Sequence, residues 1–365
     1  MIVAGEVVRA GQGANGWVRV EGEIIAEVGS GTPPPGAVAA RWVTPGLVDL
    51  QVNGAEGVEV VDGPAALDRV DRVMLAAGVT SYLPTVITTD DATAAAAVRH
   101  IAPRARDDGS PIVGVHLEGP FLSPEQPGVH RSALLQVPAD GVPEHFFDPA
   151  VRVVTLAPEL PGAPALVERL TKDGVCVSLG HTAADGAQAA AARDRGAAMA
   201  THLFNAMPRF HHRAPGIAGW ALGRADLALG VVPDAIHLHP DTMSLIRRAA
   251  EERVVLVTDA SVGAAAPPGT YEQAGIAVIV HPDGTVTTQK GEPAGSGITL
   301  DEGVRRWVAA TGASIPQAVE AASTRPAQMI GLARELAAGA VADLVLWDDE
   351  LRVIGVIRRG VSVGD

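Results

Sequence analysis

Four ionisable residues stand just beyond short apolar runs, at sites where a metal-assisted hydrolysis could be built. Glu118 follows His116-Leu117, His181 sits in Gly180-His181-Thr182, His202 in Thr201-His202-Leu203, and Asp259 in Thr258-Asp259-Ala260. Two imidazoles and a carboxylate suit a borderline divalent ion such as zinc, with iron or manganese also tolerated. Three protein ligands leave a coordination position open, and a metal there lowers the pKa of water from about 15.7 toward 7 and polarises a carbonyl. Asp259 would then act as the base that takes the proton and returns it to a leaving nitrogen. A lone histidine or glutamate at a strand end is more often structural. Four of them at one end of one fold are not easily structural, because burying that many ionisable groups without a metal is costly.

The elements that must position them repeat a simple rhythm. Eight apolar runs, at 46–52, 80–87, 112–117, 151–157, 175–179, 199–203, 227–232 and 254–258, alternate with Ala- and Leu-rich helical stretches. The clearest helical stretches are 65–77, 92–101, 163–172, 183–195 and 240–251. Continuous apolar strands alternating with helices are buried parallel strands. Eight such units predict a (β/α)8 barrel, with an open α/β sheet as the alternative. Barrel active sites lie at the C-terminal strand ends, where Gln51 and Asn53 follow run one and His237 follows run seven.

Short β-rich stretches at 2–8, 17–20 and 23–28 precede a Thr32-Pro33-Pro34-Pro35-Gly36 connector. Helices are expected at 300–311, 315–322 and 326–332, then strands at 343–347 and 352–357. Strands at both ends predict a small β-sandwich domain, residues 1–43 plus 335–365, beside a barrel of residues 44–334.

Composition excludes several classes. The net charge of −14, with Lys172 and Lys290 the only lysines, leaves no basic face for nucleic acid or anionic membrane. A phosphorylated small molecule remains possible, because one pocket arginine outweighs distant charge. Cys176 is the single cysteine and sits in an apolar run, as a small buried hydrophobe would. No basic segment precedes a long apolar one at the N-terminus, and no run is long and apolar enough to span a bilayer. A cytoplasmic protein is expected.

Some patterns fail. Gly11-Gln12-Gly13-Ala14-Asn15-Gly16 matches a dinucleotide fingerprint, but a strand follows it instead of a helix, so it reads as a hairpin turn. His237-Leu238-His239 could be a second metal pair, but it has no obvious carboxylate partner. His116 reads as a core or supporting histidine one layer below Glu118.

The motifs Pro45-Gly46-Leu47-Val48-Asp49, His116-Leu117-Glu118-Gly119-Pro120-Phe121, Gly180-His181-Thr182, His202-Leu203-Phe204-Asn205-Ala206-Met207, His237-Leu238-His239-Pro240, Thr258-Asp259-Ala260 and Ala294-Gly295-Ser296 follow in order. With them the chain resembles the N-acetylglucosamine-6-phosphate deacetylases of the amidohydrolase superfamily. The resemblance implies Glu118, His181 and His202 as ligands of one metal, with Asp259 as acid and base. It implies substrate contacts from Val129, Asn205, Ala206, His237, Pro293, Ala294 and Gly295. It also implies that Arg213 binds the phosphate in the neighbouring subunit's site, hence a homodimer. Gln51 and Asn53 stand where many amidohydrolases carry the His-x-His of a second metal. Run four ends Leu156-Ala157-Pro158-Glu159, without the lysine that relatives with a bridging carbamate need. The alternatives are an amidohydrolase for another N-acylated substrate, either another N-acetylated sugar phosphate or an N-acyl amino acid, and a non-catalytic binding barrel.

Overall fold

The computed structural model describes residues 1–224 and 226–364. All eight apolar runs become strands: Leu47–Val52, Val79–Ile87, Val115–Glu118, Val151–Leu156, Cys176–Leu179, Met199–Ala200, Ala228–Val231 and Val254–Leu256. They form one eight-stranded sheet whose spatial order follows the sequence. Nearly every residue in them is buried, as parallel strands covered by helices require.

The first and last strands meet. Asn53 N–H donates to the Ala260 carbonyl at 2.7 Å, and Val52 and Ala260 form a parallel bridge. The buried Asp49 carboxylate reinforces this seam. It accepts from Thr258 Oγ1 at 2.6 Å and from the Thr258 and Gln51 backbone amides at 3.2 and 3.1 Å. The sheet is thus a barrel, not the open alternative.

Helices Pro64–Ala76, Asp91–Arg104, Ala163–Lys172 and Pro240–Ala250 cover it close to the expected bounds. The helix expected at 183–195 spans only Gly186–Arg193. Ala183 N–H is held by the Glu159 carboxylate at 2.7 Å, and Asp185 caps the amides of Ala187 and Gln188, so the helix can start only after it. Leu300–Thr311 and Ile315–Ala322 match expectation, and Thr324–Met329 starts slightly early. No helix among the described residues is long and apolar enough to cross a membrane.

Strands from both ends of the chain, Ile2–Arg9, Gln12–Glu21, Ile24–Ser30, Val38–Pro45, Leu344–Trp347, Val353–Arg358 and Val361–Ser362, form one seven-stranded sheet. It packs on its own core of Val3, Val18, Ile25, Val43, Leu344 and Ile357. The strand Val38–Pro45 runs past residue 43, because Thr44 and Pro45 still pair with Val345 and Leu344. Arg9 pairs with Gln12, so Ala10-Gly11, both at positive φ, make a two-residue hairpin turn in the glycine motif.

One element was not anticipated. Gly269–Gln273, Ile276–Val280 and Val286–Thr288 form a three-stranded antiparallel sheet after the last barrel strand. Its turn signals, Ala274-Gly275 and Asp283-Gly284, are present in the sequence.

Burial pushes the Asp49 carboxyl up to about 7, against the pull of its hydrogen bonds to Thr258 and Gln51. An acid raised this way favours the fold fully below its unfolded value, near 3.9, and loses that contribution as pH rises toward 7. The urea midpoint of the protein is expected to fall from pH 5 to pH 7 more steeply than that of Asp49→Asn. Parallel pH profiles for the two proteins would refute this.

Candidate active site

At three barrel strand ends the backbone enters the left-handed region at a residue with a side chain. His181 has φ 47°, His202 φ 24° and Asp259 φ 52°. Such conformations are strained for non-glycine residues and persist where the surroundings fix them. Here His181 O accepts from Ser123 N–H, Leu203 N–H donates to Gly230 O, and Asp259 O accepts from Ser296 N–H, each at 2.8 Å. These bonds turn the side chains toward the barrel axis.

The structure brings Glu118, His181 and His202 together, all buried. Glu118 Oε1 lies 3.3 Å from His181 Nε2 and 3.2 Å from His202 Nε2, and the two nitrogens are 3.1 Å apart. Donors bound at about 2.0–2.1 Å in a tetrahedron are separated by roughly 3.3 Å, so this triangle fits one face of such a site. His181 Nδ1 lies 3.1 Å from Gln126 O and donates to it, which leaves the Nε2 lone pair free to point inward. Burial opposes the Glu118 charge, but hydrogen bonds and charge from both histidines hold its carboxyl well below the usual range. Among the described residues, no other group of histidine, cysteine, aspartate and glutamate converges in this way.

Asp259 faces this cluster across the cavity. Its Oδ1 accepts from Asn53 Nδ2 at 2.8 Å and Gln51 Nε2 at 3.0 Å. Gln51 Nε2 also reaches both Glu118 oxygens, at 3.2 and 3.3 Å. The neutral Gln51 amide therefore ties the two carboxylates together. Burial and the nearby Glu118 charge push the Asp259 carboxyl up, partly offset by His202 and His237.

Asp259 Oδ2 lies 3.7 Å from His237 Nε2. The other nitrogen, His237 Nδ1, is 2.7 Å from Asp234 Oδ2, which fixes a proton on Nδ1. Asp234 in turn accepts the backbone amides of Ile236 and His237, both at 2.8 Å. Burial pulls the His237 pKa down, but the Asp234 hydrogen bond and charge outweigh it and hold it up. His239 is exposed and caps the helix Pro240–Ala250, so the two histidines do not form a metal pair. Asp234 is the carboxylate partner that the pattern around His237 did not reveal. His116 supports the floor as expected, with Nε2 2.8 Å from Thr155 Oγ1 and Nδ1 2.9 Å from Leu50 O.

Asn53, Glu118, His181, His202, His237 and Asp259 line a cavity of about 410 Å³. Val129, Asn205, Ala206, Pro293 and Gly295 are in its wall, with Ala294 buried beside it. Arg213 is outside the wall, exposed on a loop, and among the described residues no lysine or arginine lines the cavity. Three polar wall residues, His130, Gln273 and Glu292, escaped the sequence reading because none ends a barrel strand. His130 packs edge-on to His181 at 4.4 Å, with burial pulling its pKa down to about 3. Gln273 comes from the unanticipated hairpin.

A model of the amidohydrolase family matches residues 42–363. The N-acetylgalactosamine-6-phosphate deacetylase of Escherichia coli O157:H7 is 36% identical, over 94% of this chain and 95% of its own length. Human N-acetylglucosamine-6-phosphate deacetylase is 38% identical, over 88% of this chain and 83% of its own. Among solved structures, a variant of the N-acetyl-D-glucosamine-6-phosphate deacetylase of Mycobacterium smegmatis, in complex with N-acetyl-D-glucosamine-6-phosphate, superposes with a TM-score of 0.93 at 31% identity. It covers 99% of this chain and 98% of that one.

Removing a donor from the triangle should remove the metal. After desalting, the wild-type chain is expected to hold about one equivalent of divalent metal, and Glu118→Gln or His202→Ala only a small fraction of that. Asn53→Ala, which touches only Asp259, should keep the metal. Elemental analysis of the three variants decides it.

Proposed function

The chain belongs to the amidohydrolase family, and from that premise we infer that it hydrolyses the acetamide of N-acetyl-D-glucosamine 6-phosphate, giving D-glucosamine 6-phosphate and acetate. The observation that carries this reading is the buried Glu118, His181 and His202 triangle facing Asp259 across one cavity.

Glu118, His181 and His202 would hold one divalent metal per chain, zinc before iron or manganese, and it would supply Lewis acidity at the carbonyl and lower the pKa of water toward neutrality. The chain's own groups do the rest. Asn53 and Gln51 occupy Asp259 Oδ1, which leaves Oδ2 to accept the proton of the attacking water as its oxygen bonds to the carbonyl carbon. Asp259 then delivers that proton to the amide nitrogen as the C–N bond breaks, so the amine leaves neutral. His237, braced by Asp234, which holds its pKa above the ordinary value, turns Nε2–H toward the carbonyl oxygen as negative charge develops there. Gln51 holds Glu118 and Asp259 at a fixed spacing throughout.

The phosphate needs a cation that the cavity wall does not supply. Arg213, on its exposed loop, provides it to the site of a neighbouring subunit, so the working enzyme is a homodimer. Asn205, Ala206, Val129 and the Pro293 to Gly295 segment contact the sugar phosphate. The 36% identity to an N-acetylgalactosamine-6-phosphate deacetylase favours a second reading, in which the C4 epimer is also a substrate.

Asp259→Asn is expected to keep its metal yet lose about two to four orders of magnitude in kcat, the usual worth of a positioned acid–base group. Near-normal turnover would remove Asp259 from the role. Arg213→Ala should raise KM for the phosphorylated sugar by about tenfold or more, the scale of one charge-assisted bond, and leave the unphosphorylated sugar unaffected. Equal effects on both would place Arg213 away from the phosphate.

A further inference from the structure

Gln273 ends the strand Gly269–Gln273 and pairs with Ile276 across the two-residue turn Ala274-Gly275, whose φ values are 51° and 74°. The hairpin tip is held in place. Ala274 N–H donates to the Glu59 carboxylate at 3.0 Å. On its other side, Gly275 faces Arg131, whose Nη1 would lie 3.3 Å from a Cβ at that glycine.

Gln273 is 3% exposed and forms part of the cavity wall with Asp259 and Pro293. The backbone N–H of Val262, three residues beyond Asp259, points at its terminal amide, 3.2 Å from Oε1. An N–H can only be met by an acceptor, so the amide oxygen is fixed at that end and the nitrogen at the other. Nε2 has no hydrogen-bond acceptor among the described residues. Nε2 is not sealed from solvent, so it opens onto the cavity, where a ligand hydroxyl can accept its N–H in place of water.

We propose that Gln273 is a specificity-determining residue whose Nε2–H donates to a ring hydroxyl of the bound amino sugar. The inference rests on the substrate reading above. With the acetamide at the Glu118, His181, His202 and Asp259 groups, the pyranose ring lies against the adjoining wall, where Gln273 stands beside Asp259. The ring offers hydroxyls at C1, C3 and C4, since C2 carries the acetamide and C6 the phosphate. A neutral amide reads hydroxyl geometry without competing for the phosphate.

The test deletes the two partners separately and together. Acetate release is measured with N-acetylglucosamine 6-phosphate and its 1-, 3- and 4-deoxy analogues, using wild type, Gln273→Leu and Gln273→Glu. The glutamate keeps an acceptor for Val262 N–H and removes the donor, so it reports even if the leucine variant folds poorly. Gln273→Leu is expected to lose about five- to tenfold in kcat/KM on the full substrate, mostly through KM, as one neutral hydrogen bond would cost. In both variants the preference for full substrate over deoxy analogue should change at one ring position and stay constant at the other two. Preferences that stay constant at all three positions would show a purely structural residue and overturn the inference. A wild-type protein inactive on every phosphorylated amino sugar would overturn the substrate reading and the inference with it.

Discussion

The carboxylates of Glu118 and Asp259 are buried in the same cavity, and both touch the Gln51 amide. Two negative charges this close in a poorly solvated site repel strongly unless other groups compensate. The surroundings divide that work. Around Glu118 stand two imidazole nitrogens whose separations match one face of a metal site. Around Asp259 stand the Asn53 and Gln51 amides and the His237 ring, with Asp234 behind it. In the proposed mechanism the first carboxylate holds a cation and the second carries a proton. Environment sets the difference in role, because the chemical group is the same.

The barrel makes this arrangement possible. Residues from separate strand ends converge because the sheet closes, and the closing seam runs directly beneath Asp259. Asp49 ties Thr258 to the strand that carries Gln51 and Asn53. The seam therefore sets the positions of the Asp259 carboxylate and of the amides that orient it. Gln51 and Asn53 are neutral donors where a His-x-His pair would offer lone pairs, and donors stabilise a carboxylate without a second cation.

The barrel was legible because its eight strands are buried on both faces and so read as unbroken apolar runs. Glu118, His181, His202 and Asp259 were legible because they stand at strand ends. Other parts of the site follow different rules. Asp234 acts through a turn three residues before His237, a spacing that looks like ordinary loop chemistry. His130 lies deep in a loop, and Gln273 on a hairpin whose turn signals are short. The sixth run, expected at 199–203, keeps only Met199–Ala200 as strand, because His202 leaves the extended region to turn inward. Arg213 shows the opposite limit, since its exposed loop gives no geometric sign of a ligand and its proposed role comes from resemblance alone.

Acetate release from N-acetylglucosamine 6-phosphate and from unphosphorylated N-acetylglucosamine, with metal content determined on the same sample, tests the central claim most directly. The account predicts rapid release from the phosphorylated sugar, little from the other, and about one divalent metal per chain. A chain that holds its metal and releases acetate from neither sugar would contradict the assigned substrate.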